Sequence, residues 1–390
     1  MNPKDFASSQ AGRLAKTPTG YWSFVPASLP PPIAYDATIA LLLSQADAAL
    51  SELSGLGRYL PNPDLLIAPY VKREAVASSR IEGTQADLSD LLLDEIEPKR
   101  TPPGSDVLEV RNYVAALNRG IRDLQRLPLS CRLVRDLHSV LMTDVRGKDR
   151  MPGEFRRSQN WIGPPGCTLA EATYVPLPEH EMHECLKNWE LFLHQRGQMP
   201  ELIQCALVHE HFEAIHPFLD GNGRIGRLLI TLFLIERGRL SKPLLYLSSY
   251  IEQHRTDYYS SLQRIRTHAD WPAWLRYFLT AVRETARSAI QQSQTLLELR
   301  EALRRKLAKR HRALTLVDEL FNNPYTTVAR ATSHLGVTAP TASKTIRQLE
   351  RAGILREATG REWGRFWVAQ PILDALAPAA SFPAPGETTS

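Results

Sequence analysis

Twelve consecutive residues, His216-Pro217-Phe218-Leu219-Asp220-Gly221-Asn222-Gly223-Arg224-Ile225-Gly226-Arg227, hold one imidazole, one carboxylate, one carboxamide, two guanidiniums and three glycines. Glycine has no Cβ, so its backbone N–H can approach an anion closely. Ile225, Leu228, Leu229 and Leu232 have helical spacing, which places the glycine-rich run at a helix N-terminus, where free amides and the dipole favour phosphate. Arg224 and Arg227, three apart, share a face and can fork onto phosphate oxygens. Asp220 is a hard-oxygen ligand suited to Mg²⁺, which binds through one or two carboxylates plus substrate phosphates. Asn222 can donate to a phosphate oxygen without adding charge, and His216 can serve as general base near neutral pH. No Gly-Lys-Ser/Thr closes the run, so it is not a P-loop. The chemistry these residues suit is gripping a phosphate chain and a cation while deprotonating a group beside them.

The run matches HxFx(D/E)GNGRxxR at every specified position, and the chain therefore resembles the Fic (filamentation induced by cAMP) family of nucleotidyltransferases. That resemblance implies transfer of AMP from ATP to a Ser, Thr or Tyr hydroxyl of a target protein. It makes His216 the base and Asp220 the Mg²⁺ ligand. The nucleotide contacts would come from Asp220, Gly221, Asn222, Gly223, Arg224, Ile225, Gly226 and Arg227. Ser78-Ser79-Arg80-Ile81-Glu82-Gly83 reads by spacing alone as a solvated helix surface with Ser78 and Glu82 on one face. It also fits the family's inhibitory motif (S/T)xxxE(G/N), which implies that Glu82 pairs with Arg227 and holds ATP away from productive geometry. Tyr258-Tyr259 resembles the pair that borders base and ribose in relatives, with Ile162-Gly163 as the opposite wall. A non-helical island from Gly153 to Pro176 contains two short β-like runs and suggests a hairpin. The resemblance makes 155–175 a flap on which a target protein docks by strand addition. Three other activities stay open: the same site removing AMP, transfer of a different phosphate-containing group, and a nucleotide-sensing DNA-binding regulator. Self-modification and a homodimer stay open as well.

The surroundings are those of an ordinary globular protein of two or three domains: 390 residues, 43% apolar and 23% charged. No apolar run approaches the roughly 20 residues of a membrane span, so no membrane partner is expected. Met1 to Ala7 lack the apolar block of a signal peptide, and Cys131, Cys167, Cys185 and Cys205 show no CxxC spacing; a cytoplasmic location is expected. Net charge is +5, but Arg300 to Phe366 carries 14 Lys/Arg against 6 Asp/Glu.

Helical periodicity dominates after a Pro-rich lead-in of about 35 residues. It marks Ile39 to Leu53, Pro63 to Ile96 with a break near Gly83, Val107 to Leu124, Leu129 to Met142, Glu201 to Ile215, Arg224 to Arg237 and Trp271 to Arg304. Beyond Lys309 the pattern becomes helix, turn, helix and two strands. This resembles a winged helix-turn-helix, with Thr341, Ser343, Lys344 and Arg347 facing outward and DNA or protein as partner. The fold expected is mainly α: a helical region over 1–105 with the inhibitory helix, a Fic-fold core with a β-hairpin flap over 106–290, a linker helix and winged helix over 291–375, and a disordered tail over 376–390.

Overall fold

The computed structural model describes residues 1–6, 9–59, 64–97, 102, 104–146, 150–164, 166–308, 310–377 and 382. The expected helix start at Pro63, the boundary at Lys309 and all of the expected tail except residues 376, 377 and 382 lie outside the described residues. The chain is mainly helical. It does not open on an irregular lead-in: β1 (Gly12–Lys16) and β2 (Trp22–Pro26) form an antiparallel hairpin with Gly12 opposite Pro26 and Lys16 opposite Trp22. The buried Phe24 ring packs on Phe6 and Tyr174, and the Phe24 N–H donates to the Val175 carbonyl (2.9 Å), so the hairpin is fixed by a segment about 150 residues away. Nothing in the local sequence pattern encodes that partner.

The N-terminal helices are α1 (Ala37–Tyr59), α2 (Asp64–Ile81) and α3 (Leu88–Ile96). The long candidate ending at Ile96 breaks where the chain turns through Gly83 (φ +98°), and Asp87 restarts it with a capping box to Asp90. Next come α4 (Asp106–Asp123), α5 (Cys131–Leu141), α6 (Glu179–Leu193), α7 (Glu201–Ile215) and α8 (Asn222–Glu236). The sequence pattern marked no helix at α6. α7 is buried from Leu202 to Ile215 on every side. It is the central helix, and it buries Gln204, His209, Glu210, His211 and Glu213 along with its apolar side chains. α8 packs against it, buried from Arg224 to Leu234, and the twelve-residue run forms the turn between the two helices (216–221) and the start of α8 (222–227).

α9 (Ser248–Gln253), α10 (Arg255–His268) and α11 (Trp271–Leu307) complete the body, with α1 lying along α11. α11 is one continuous helix, so the boundary placed at 290/291 falls inside it. The C-terminal module follows as α12 (His311–Asn322), β3 (Tyr325–Thr327), α13 (Val328–Leu335), α14 (Ala339–Arg351), β4 (Arg356–Glu357), β5 (Phe366–Val368) and α15 (Gln370–Ala375). Its strands form an antiparallel sheet in the order β3-β5-β4. The module is keyed into the body. Lys72 of α2 donates to Glu95 (2.8 Å) and to the Asn322 carbonyl (2.9 Å), Asn323 donates to the Leu92 carbonyl (2.9 Å), and Leu92, Tyr325 and Val368 form a small shared core.

Candidate functional site

α7 stops at His216, whose backbone is left-handed (φ +50°, ψ +60°), a conformation uncommon outside glycine and asparagine. Neighbours hold it there. Its carbonyl accepts from Arg156 Nε (3.1 Å) and Asn160 Nδ2 (3.0 Å), and its N–H donates to the Phe212 carbonyl (2.9 Å). Arg156 is buried and its remaining donors reach the Ser158, Leu177 and Ile215 carbonyls (3.3, 2.6 and 3.5 Å), so one guanidinium ties the flap to the end of α7. Phe218 then plunges into the core, stacked on the His138 ring at 3.7 Å. The Gly153 N–H donates to His138 Nδ1 (2.9 Å), so Nε2 carries the proton and donates to the Asp220 carbonyl (3.0 Å). Burial keeps this imidazole neutral, its pKa lowered to about 4.

Asn222 has a different task from the one its type suggests. Its Oδ1 accepts the Phe218 N–H and its Nδ2 donates to the Phe218 carbonyl, both at 2.8 Å, with the side chain buried. The carbonyl end and one N–H of the carboxamide close the 218–222 loop. Asn222→Ala should therefore lose about 2 kcal/mol of stability, the cost of stranding two buried backbone groups. Urea unfolding would read this; an unchanged midpoint would remove the structural role. Gly221 sits at φ +77°, where a side chain is strained, and its Cβ would press on Met142 Sδ at 3.1 Å.

The two arginines are not free. Arg227 is buried; its Nε donates to Ser78 Oγ (2.9 Å), and its Nη2 donates to the Ser78 carbonyl (2.8 Å) and Glu82 Oε1 (2.7 Å). Ser78 lies on the last turns of α2 and Glu82 just beyond it, so both residues of the inhibitory motif meet the one guanidinium. Gly223 makes room for this contact, since a Cβ there would collide with the Glu82 carboxylate. Burial alone would raise the Glu82 pKa, but the attraction and hydrogen bond of Arg227 outweigh it, and the carboxyl is held below its usual value. Arg224, also buried, faces Glu109 (3.5 Å) and Asp220 (3.4 Å). Glu109 in turn accepts from Thr84 Oγ1 (3.0 Å), two residues past Glu82. The segment from Ser78 to Thr84 thus reaches both arginines, one directly and one through Glu109.

His216 Nδ1 is buried and has no hydrogen-bond partner among the described residues. Burial, with Arg266 and Arg156 nearby, lowers the imidazole pKa to about 3, so the ring is neutral at physiological pH. Arg266 is itself held at 3.9 Å over the Tyr174 ring of the flap and 3.8 Å from Glu210. The flap is a hairpin reduced to one antiparallel bridge, Ile162 to Tyr174. The Ile162 backbone bonds run to Thr173 and Tyr174 within the flap, and the space over Gly163 is closed by Cys167. Tyr258 does not line an open slot. Gly226 offers only a carbonyl to His209 Nδ1 (2.9 Å), which fixes the proton there, and His209 Nε2 accepts the Tyr258 hydroxyl (2.9 Å). Tyr258 is thereby a buried brace behind α8, and Tyr259 alone of the pair is exposed (41%), its ring under Arg255.

Five residues of this site carried no signal in the sequence: His138, Arg156, Asn160, Glu109 and Arg266. Each acts through a partner about 50 or more residues away, and single polar residues on helices or loops look alike until that partner is known.

The Fic/DOC family N-terminal model matches residues 40–122, and the Fic/DOC family model matches residues 128–234. A probable protein adenylyltransferase of Aquifex aeolicus is 24% identical over 184 residues, covering 47% of this chain and 54% of that protein. The protein adenylyltransferase Fic of Nematostella vectensis is 26% identical over 247 residues, 60% of this chain and 52% of that protein. The chain thus matches about half the length of these curated relatives. Among solved structures, a Fic family protein from Desulfovibrio desulfuricans G20 superposes with a TM-score of 0.56 at 20% identity, covering 87% of this chain and 98% of that one. A Fic domain containing signaling protein from Bacteroides thetaiotaomicron gives 0.51 at 18%, covering 65% and 96%. These likenesses bear on the fold. With the signature folded as the α7–α8 turn and the N-terminal and core matches lying side by side, the chain belongs to the Fic/DOC family.

Proposed function

We propose that the chain is a protein adenylyltransferase that moves AMP from ATP to a hydroxyl of a target protein and is held in check by Glu82. One observation carries the reading: a neutral imidazole, His216, ends the helix that leads into α8, while a carboxylate, Glu82, occupies Arg227 in the second turn of α8. Helix geometry leaves the first amides of α8 without intrahelical partners, so they can receive phosphate oxygens. Once Glu82 withdraws, Arg227 and Arg224 neutralise the outer phosphates and ease departure of pyrophosphate. His216 accepts the proton as the target oxygen attacks the α-phosphorus; the new P–O bond forms as the bond to pyrophosphate breaks. The target segment adds to the edge of the flap, residues 155–175, which sets the hydroxyl by backbone pairing.

Asp220 is the carboxylate that would hold Mg²⁺. Its side chain is 44% exposed, and no group of three or more His, Cys, Asp or Glu side chains suited to a metal occurs among the described residues. A single accessible carboxylate fits a cation that takes its other ligands from phosphates and water. When bound, it would supply charge neutralisation at the phosphates.

The reading is tested by incubating wild type and Glu82→Gly with ATP labelled at the α-phosphate, with and without cell lysate. Incorporation into protein by Glu82→Gly supports it; none in either setting overturns it. A second outcome concerns pH. Because burial and two arginines keep His216 neutral down to about pH 3, transfer should show no acid limb near pH 6.5. Removing the Glu82 anion, which favours the protonated ring, only strengthens this. A kcat profile with an apparent pKa near 6.5 would contradict it.

A further inference from the structure

We propose that the C-terminal module, residues 310–368, binds duplex DNA with α14 as the element that enters the major groove. α14 is amphipathic in a specific way. Ala342, Thr345, Ile346 and Leu349 are buried within the module. Pro340, Lys344, Arg347 and Arg351, spaced i, i+4, i+7 and i+11, form one exposed stripe. The single carboxylate of α14, Glu350, is directed to the sheet, where it accepts Trp367 Nε1 (2.9 Å). The outward stripe therefore carries three cations after Pro340 and no carboxylate, with the half-buried Thr341 and Ser343 at its flanks.

Two neighbours extend this face. A cleft of about 420 Å³ separates the start of α12 from α14 and is lined by Arg310, His311, Arg312, Thr341, Lys344 and Gln348, among others, with no carboxylate. The start of α12 thus sets Arg310, His311 and Arg312 across a cleft from Lys344, where they can meet phosphates of a duplex seated on α14. On the other side, the β4–β5 connection projects into solvent with Arg361 and Arg365 exposed and Trp363 87% exposed. A second cleft, between α14, this connection and the end of α3, is lined by Glu97, Glu350, Glu357 and Glu362 as well as Arg347 and Arg365. The phosphate contacts are accordingly assigned to the Arg310–Lys344 side.

The charge pattern decides the class of partner. A protein-docking face is built around apolar or aromatic anchors, and Trp363 is the one large apolar side chain this face exposes among the described residues. A helix enters the major groove of B-form DNA but not the deep, narrow groove of A-form RNA. The observations fit DNA.

The test is fluorescence anisotropy of the full chain, without nucleotide, on a mixed-sequence duplex of about two helical turns. Wild type should bind at low salt and weaken steeply as salt rises. Lys344→Ala/Arg347→Ala and Arg310→Ala/Arg312→Ala should each raise Kd about tenfold or more, the first cutting the salt slope by roughly one and the second by roughly two. Arg119→Ala/Arg126→Ala (the α4 pair) removes two exposed charges, one on α4 and one just beyond its end, and should leave Kd unchanged. All four positions of the test pairs are exposed, and unchanged circular dichroism and unfolding midpoints would confirm folded variants. Absence of binding at low salt, equal weakening by the α4 pair, or equally tight binding of an RNA duplex of the same sequence would each overturn the proposal. Because no ATP is present, the result is independent of whether the chain transfers AMP.

Discussion

Glu82→Gly should raise the rate of AMP incorporation by about a hundredfold, the scale on which displacement of a reacting group by roughly 1 Å changes a rate. Arg227 now spends Nη2 on Glu82 at 2.7 Å and on the Ser78 carbonyl, and Nε on the Ser78 hydroxyl. A guanidinium so engaged cannot fork onto a terminal phosphate, and the carboxylate beside it repels one. Glu82 lies just beyond α2, which ends at Ile81, and its side chain makes no other hydrogen bond among the described residues. Replacement by glycine removes the contact without cutting into a helix. Ser78→Ala should produce a smaller rise, because it frees Nε while leaving the ion pair in place. Initial rates with α-labelled ATP, together with calorimetric ATP affinity, would separate release of the brake from tighter binding. Equal rates for wild type and Glu82→Gly would show that the ion pair does not restrain transfer.

Removing the base should have the second large effect, and the variant must respect the backbone. His216 is left-handed at φ +50°, which alanine adopts poorly and asparagine tolerates. His216→Asn, made in the Glu82→Gly background, keeps that conformation and offers no proton acceptor of comparable basicity. Transfer should fall by roughly 10²–10⁴, the usual contribution of a positioned base. ATP affinity should hold, because the phosphate contacts come from α8. Transfer retained within a factor of a few would mean that the proton leaves by another route.

The glycines, the two arginines, Asp220 and His216 were legible in the sequence because they are contiguous. The chemistry of a twelve-residue run is stated by residue type and spacing before any folding is considered. Spacing also marked α7 and α8 as the helices that lead into and out of the run, but not that α7 is buried on every side, because Gln204, His209, Glu210, His211 and Glu213 interrupt its apolar residues. The inhibitory pair was legible only as a resemblance; by spacing alone, Ser78 and Glu82 were an ordinary helix surface. Asn222 and Tyr258 show the opposite outcome. Their types suited a ligand, yet the folded chain uses both internally, to close the loop and to brace α8.

The sequence by itself determined which atoms are available for chemistry and which helices bring them together, because local spacing sets both. Tertiary structure alone decided which of those atoms remain free. Glu82 lies 145 residues from Arg227, Arg156 lies 60 from His216, and Thr84 lies 25 from Glu109. Periodicity reports which face of a helix is buried, and it carries no information about the side chain that will be found opposite. A hydrogen bond between distant segments is fixed only when packing of the whole core sets their separation to within a few tenths of an ångström.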